Sequence, residues 1–366
     1  MSKLKFLRKF FPLFLGLCVS TPLRAELLTF STYLGGSSDD LAFGVTLSPF
    51  HPESYFVVGN TSSTDFPTAA AQWSSLAGSS QDAFVSWLAF SDTTGPVLIY
   101  STYLGGDQSE YGRGIAVNEY YFIVTGSTSS EDFPTHNPLT GEDALSGTQD
   151  AFITCFDTAG GLVLSSFLGG GAEEAGNTVD IGETFSVVLA GNTDSDDFPT
   201  VNPLPGQAAH LGATKDGFIA RFSLDSPDLE FSTYLGGVGY DELKQTVFTE
   251  DASIVFSGRT ASADFPTVNP LPEGSGLQGG SAGIFGIISP AYALDCSSYL
   301  GGTGIDQVWG LAVSPGTGEF EIHLVGTTSS PDFPTVDPLA EGGGGLDGSY
   351  DGFVASVNWI SPPWLP

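Results

Sequence analysis

Six residues after each of five recurring leucines stands a carboxylate: Asp40, Glu110, Glu174, Asp241 and Asp306. Gathered at one end of a common channel, such acids repel by only about 0.5 kcal/mol per pair at ~8 Å in bulk water, and by more where water is scarce. Two kinds of partner offset that repulsion. One is the set of backbone amides in each acid's own loop; the other is a divalent cation, for which oxygen-rich, flexible surroundings suit calcium. Calcium is the one cofactor the pattern admits, and otherwise none is expected. Nine residues after the same leucines the segments disagree, holding Phe43, Arg113, Asn177, Lys244 and Trp309. Arg113 and Lys244 either neutralise the acids or join Tyr111, Tyr240 and Trp309 as polar and aromatic contacts for a sugar or peptide. Asp180 is singular, because the matching positions hold Thr46, Ala116, Val247 and Ala312. A carboxylate there is costly unless it meets water or a cation such as Arg113 or Lys244.

The leucines belong to a repeated phrase. An aromatic-Leu-Gly-Gly tetrad begins at Tyr33, Tyr103, Phe167, Tyr234 and Tyr299, and an Asp-Phe-Pro-Thr tetrad begins at Asp65, Asp132, Asp197, Asp264 and Asp332, both advancing by roughly 64 to 70 residues. A fixed period of this kind marks units that bury their apolar faces against their neighbours. Within one period four short apolar runs alternate with Gly, Pro, Ser and Asp, as in Gly112 to Val117, Tyr120 to Gly126, Asp150 to Phe156 and Leu162 to Leu168. These runs are rich in Val, Ile, Phe, Tyr and Thr, which favour strands, and the punctuation between them is turn chemistry. Four strands per period make a blade, and five periods predict an all-β, five-bladed β-propeller. Leu27 to Leu34 matches a fourth strand and Asp351 to Asn358 a third, so the N-terminal strand is expected to complete the last blade and close the ring.

The recurring residues themselves read as folding devices. Paired glycines suit a sharp turn with positive φ where no side chain fits. In the second tetrad the Asp is expected to cap the amides that follow, the Phe to anchor the loop and the Pro to fix φ. The Asp that opens the third strand (Asp82, Asp150, Asp216, Asp351) is Ala282 in the fourth repeat, which argues against a symmetric site.

Residues 1–25 carry Lys3, Lys5, Arg8, Lys9 and Arg24, no acid, and an apolar run from Phe10 to Val19, the pattern of a signal peptide cleaved after Ala25. Residues 26–358 then form a single propeller domain and 359–366 a C-terminal tail. Export to the periplasm, cell surface or medium follows, without membrane insertion once the leader is removed. Cleavage leaves five basic residues against 42 acids, a formal charge of −37. Such a surface repels nucleic acid and favours a soluble monomer with basic or cationic partners. Cys155 and Cys296 fall on different strands of non-adjacent repeats and are expected to be buried free thiols. His51, His136, His210 and His323 have no zinc spacing, Gly274 to Gly279 matches a nucleotide-loop pattern without a following helix, and no Gly-x-Ser-x-Gly elbow occurs.

The phrases Ser31-Thr32-Tyr33-Leu34-Gly35-Gly36, Asp65-Phe66-Pro67-Thr68 and Asp82-Ala83-Phe84-Val85 resemble the SBBP family of bacterial β-propeller repeats. That resemblance covers nearly all of the mature chain and implies an exported propeller; it brings no catalytic residues. The family name implies seven blades where this chain has five repeats. The expected function is therefore a non-enzymatic binding or scaffold module that engages a protein or glycan through its loop-rich face. The alternative is a glycoside-active enzyme, with Asp180 working beside Glu110, Glu174 or Asp241 at acid-base spacing.

Overall fold

The structure is a computed structural model that describes residues 30–48, 50, 53–78, 80–91, 95–182, 185–212, 214–314, 319–339, 345–346 and 348–360. Residues 1–25, expected to be a leader, fall outside them. Met1–Tyr33 and Leu34–Pro366 are separate units, and all 19 strands lie in the second. No helix occurs among the described residues.

The strands form antiparallel sheets in strict chain order, one per repeat. The first sheet holds β1 (Asp40–Leu47), β2 (Ser54–Thr61), β3 (Asp82–Ser91) and β4 (Gly95–Leu104). The second holds β5 (Glu110–Val117), β6 (Tyr121–Thr128), β7 (Asp150–Asp157) and β8 (Leu162–Leu168). The third holds β9 (Glu174–Ile181), β10 (Ser186–Thr193), β11 (Asp216–Ser223) and β12 (Ser226–Leu235). The fourth holds β13 (Asp241–Phe248), β14 (Ile254–Thr260), β15 (Ala282–Ile288) and β16 (Leu294–Leu300). The fifth has three strands, β17 (Asp306–Val313), β18 (Glu319–Thr328) and β19 (Asp351–Ile360). The four runs per repeat are thus strands of a meander, and the Asp-Phe-Pro-Thr loop joins the second strand to the third. β19 extends two residues into the segment expected to be a tail.

Consecutive sheets pack face to face. β5 lies against β1 and β2, β9 against β5 and β6, β13 against β9 and β10, and β17 against β13 and β14. Phe56, Val58, Ala83 and Val85 of the first sheet share one core with Phe122 and Val124 of the second. Because the second, third and fourth sheets bury both faces this way, their strands β6, β10 and β15 are buried along almost their whole length rather than alternating. The outer faces of the series behave differently. Leu41, Val45 and Leu47 of β1 are exposed, as are Val325 of β18 and Val354 of β19.

The fourth strand expected from Leu27 to Leu34 lies only partly within the described residues. Leu27 to Thr29 fall outside the described residues, Phe30 to Leu34 carry no strand, and the fifth sheet ends at β19.

The tetrads act by packing and hydrogen bonding. The Phe of the second tetrad is buried at Phe66, Phe133, Phe198 and Phe265. Phe66 packs tilted against Phe84 and sets its edge to Tyr103, whose hydroxyl accepts from the Phe66 amide at 2.9 Å and donates to the Ser63 carbonyl at 2.7 Å. Tyr234 repeats this with Phe198 and Ser195. Phe167 has no hydroxyl, and there the Phe133 amide turns to the Ser130 carbonyl at 3.3 Å.

The paired glycines do not take positive φ; among the described glycines that conformation falls on Gly78, Gly95, Gly141, Gly160 and Gly206. They are small because of what presses on them. A Cβ on Gly106 would lie 2.4 Å from an Asp132 oxygen, and one on Gly105 would lie 2.4 Å from Glu110 Oε2 and 2.6 Å from Asp82 Cγ.

Candidate binding face on the bulged leading strands

The first strand of each sheet is broken by a bulge at one position. Pairing passes from Ala42 to Gly44, Gly112 to Gly114, Gly176 to Thr178, Leu243 to Gln245 and Val308 to Gly310, so Phe43, Arg113, Asn177, Lys244 and Trp309 are left without a ladder partner. These are the five positions at which the repeats disagree. A bulge bends its strand and re-aims a side chain out of the ladder. Opposite each bulge the second strand carries a glycine: Gly59, Gly126, Gly191, Gly258 or Gly326. A Cβ at any of them would fall 1.8 to 2.1 Å from the carbonyl oxygen two residues before the bulge.

Since the leading strands touch one another in series, the re-aimed side chains meet across sheets. Arg113 Nη1 donates to Asn177 Oδ1 at 2.9 Å. Asn177 Nδ2 donates to the Leu243 carbonyl at 2.9 Å and lies 3.5 Å from Glu242 Oε1. Lys244 Nζ reaches Glu242 Oε1 at 2.7 Å and sits 4.9 Å from the centre of the Trp309 ring. Arg259 Nε meets Glu242 Oε2 at 3.1 Å, and its guanidinium lies over Tyr240 at 4.6 Å. Of the five basic residues beyond residue 25, Lys244 and Arg259 pair with one carboxylate and Arg113 is linked to it through Asn177. Burial alone would raise the Glu242 carboxyl, but hydrogen bonds and charge from Lys244 and Arg259 outweigh it and hold the group below the usual range. Burial opposes the charge on Arg113, and Glu242 supports it.

The outer part of this face is aromatic and open. Trp309 is 49% exposed and Tyr111 38%. Trp309 Nε1 donates to Thr327 Oγ1 at 3.1 Å, which fixes the indole. Phe43 is also exposed, on the uncovered side of β1.

The five recurring carboxylates lie elsewhere. Glu110, Glu174, Asp241 and Asp306 are fully buried and Asp40 partly so, each turned into its own loop. Asp40 accepts from the Gly36 amide at 2.7 Å, Thr61 at 2.5 Å and Ser63 at 2.9 Å. Glu110 uses Gly106, Thr128 and Ser130, Glu174 uses Gly170, Thr193 and Ser195, and Asp241 uses Gly237, Thr260 and Ser262. Asp306 accepts from Gly302 and Ser330. The second-tetrad Asp caps the same loop instead of the amides after it: Asp65 takes the Ser37 amide at 2.7 Å and Asp132 the Asp107 amide at 2.9 Å. Among the described residues no three His, Cys, Asp or Glu side chains converge as metal ligands.

Asp180 also departs from expectation. Its carboxylate accepts from the Phe248 amide of the next sheet at 2.7 Å and from the Ile181 amide at 2.9 Å, and neither Arg113 nor Lys244 is its partner. Burial pushes its pKa up to about 6, with those amides opposing the shift. Glu110, Glu174 and Asp241, its expected acid-base partners, are each hydrogen-bonded in a separate loop.

No family model and no curated protein matches the chain. Its functional reading therefore rests on the geometry. Sequence reasoning missed Glu242 and Arg259. A signal was present, because the residue after the bulge-facing glycine (Asn60, Ser127, Asn192, Arg259, Thr327) also varies and three of these side chains serve the face. Asn192 Oδ1 accepts from Asn177, Thr327 from Trp309, and Arg259 pairs with Glu242.

Buried acids from adjacent repeats make stability depend on pH. Burial first, then the Glu110 charge, pushes Asp82 up to about 7 against a hydrogen bond from the Ala77 amide. Burial and Glu174 push Asp150 up to about 6, and Glu142 beside them is pushed up to about 7, chiefly by burial. An acid whose pKa is raised on folding stabilises the native state below its unfolded value, near 4, and that stability is lost as pH rises through the folded value. Acids held low, such as Glu242, contribute the opposite trend only below about pH 4.5. The melting temperature is thus expected to fall between pH 5 and pH 8, and the slope to flatten in the double variant Asp82→Asn, Asp150→Asn. A flat or rising profile in the unmodified protein contradicts this assignment.

Proposed function

We propose that this chain is an exported β-propeller of SBBP type, non-enzymatic, that binds a protein or glycan. Five sheets serve as its blades. The observation that carries the reading is the division of labour in the repeat: residues that recur are consumed inside the blades, while residues that vary are displayed by bulges along one face. That division supports a binding surface on the leading strands rather than on the loop-rich face expected from sequence.

Closure of the ring belongs to the same proposal. The tetrad at Tyr33 has the register of those ending β4, β8, β12 and β16, and the fifth sheet lacks the strand that such a tetrad follows. Exposed Leu41, Val45 and Leu47 of β1 correspond to Tyr111, Ile115 and Val117 of β5, of which Ile115 and Val117 pack into the core shared with the first sheet. Residues 27–34 as the outer strand of the fifth sheet, with β1 seated against that sheet, satisfy both ends together.

The test is binding of the mature protein to glycan and protein arrays alongside Tyr111→Ala, Trp309→Ala. Signals lost in the variant with its melting temperature retained support the face; signals unchanged overturn it.

A further inference from the structure

Resting on that face as the binding surface, we propose that its ligand is a glycan bearing carboxylate groups, held by Arg113, Lys244 and Arg259 and stacked on Trp309 or Tyr111. Charge is the first argument. Lys244 and Arg259 share the single carboxylate of Glu242 and Arg113 is joined to it through Asn177, which leaves two positive charges in surplus in a mature chain of formal charge −37. Such a patch attracts an anion, and the surrounding acids repel a long polyanion such as nucleic acid while admitting spaced single charges.

The donor geometry is the second argument. The Lys244 ammonium carries three donors, and its hydrogen bond to Glu242 uses one of them. Lys244 and Arg259 remain partly exposed while Glu242 is nearly buried, so the pair presents its cationic side outward. Charge-assisted bonds from such groups to a carboxylate are about twice as strong as neutral ones.

The third argument is the aromatic rim. Half-exposed Trp309 with its indole nitrogen bonded to Thr327, and Tyr111 on the leading strand beside Arg113, offer flat apolar surfaces next to the cations. A sugar ring presents both an apolar face and polar edges, and a carboxylate on its edge reaches the cations while its face covers an aromatic ring. A peptide carboxyl terminus satisfies the charge but leaves the rim without a flat partner, so the acidic glycan is the better fit.

The test is calorimetric titration of the mature protein with trigalacturonate, its fully methyl-esterified form and a peptide with a free carboxyl terminus. The expected result is binding of trigalacturonate, at least tenfold weaker binding of the ester, and at least tenfold loss in Lys244→Met and in Arg113→Met. Glu242→Gln, which removes the competing carboxylate, is expected to tighten binding about fivefold, and this gain separates ligand contact from mere loss of fold. Equal binding of acid and ester, no binding of trigalacturonate, or preference for the peptide overturns the inference. If array ligands still depend on Tyr111 and Trp309 in that event, the face stands and only its ligand class is wrong; if they do not, the face itself is rejected.

Discussion

Gly126→Ala is expected to lower the stability of the protein by about 4 kcal/mol, among the largest effects of a single added methyl group. The added Cβ would sit 1.8 Å from the Tyr111 carbonyl oxygen, and that carbonyl is held by the bulge that frees Arg113. Backbone cannot retreat there as a flexible side chain would, so the bulge must flatten or β5 and β6 must separate. Flattening would shift every later residue of β5 to the opposite face, which a half-buried strand does not tolerate. At about 2 to 4 °C per kcal/mol for a domain of this size, the melting temperature should fall by roughly 10 °C. Gly276→Ala is the control, because nothing lies within 4 Å of the point where its Cβ would stand, and it should melt within a degree or two of the parent. Equal melting of the two variants would mean that the bulge is not locked by its glycine.

Removal of residues 26–34 from the mature chain is expected to have an effect of similar size. If these residues supply the outer strand of the fifth sheet, their loss leaves the backbone groups of β19 unpaired at an edge and uncovers apolar side chains. Burial of two side chains such as Phe30 and Leu34 is worth about 3 kcal/mol, so the melting temperature should again drop by roughly 10 °C. Addition of the 26–34 peptide in trans should restore part of it. A truncated chain that melts with the full one removes closure from the proposal and leaves the five sheets, with their bulged strands, unaffected.

The sheets were legible in the sequence because strand-forming runs and turn residues recur at one period, and β8 occupies Leu162–Leu168 as read. The five disagreeing positions were legible too, by contrast with everything around them. What made them a surface was not. A bulge is set jointly by two strands, and the glycine that permits it lies on the second strand, away from Arg113 or Lys244 in sequence. The partners of the carboxylates were not legible for a related reason. Position at a strand's entry does not say which way a side chain turns, and the Thr and Ser hydroxyls that turn Glu110 inward come from the far end of β6 and the loop after it. Asp180 was read as needing water or a cation, whereas its carboxylate accepts from an amide of the neighbouring sheet. Charge counting identifies groups that need partners, but only packing shows that a backbone N–H is the nearest one.

The most direct measurement is array binding by the triple variant Arg113→Asn, Lys244→Asn, Trp309→Asn, which gives these bulges the residue already present at Asn177. Asparagine fits the bulge, so the recurring loops and their buried acids should stay intact and the melting temperature should hold within a few degrees. The varied residues carry recognition if this folded variant loses every ligand that the parent retains. Undiminished binding by the variant would contradict the account and return the ligand to the recurring loops.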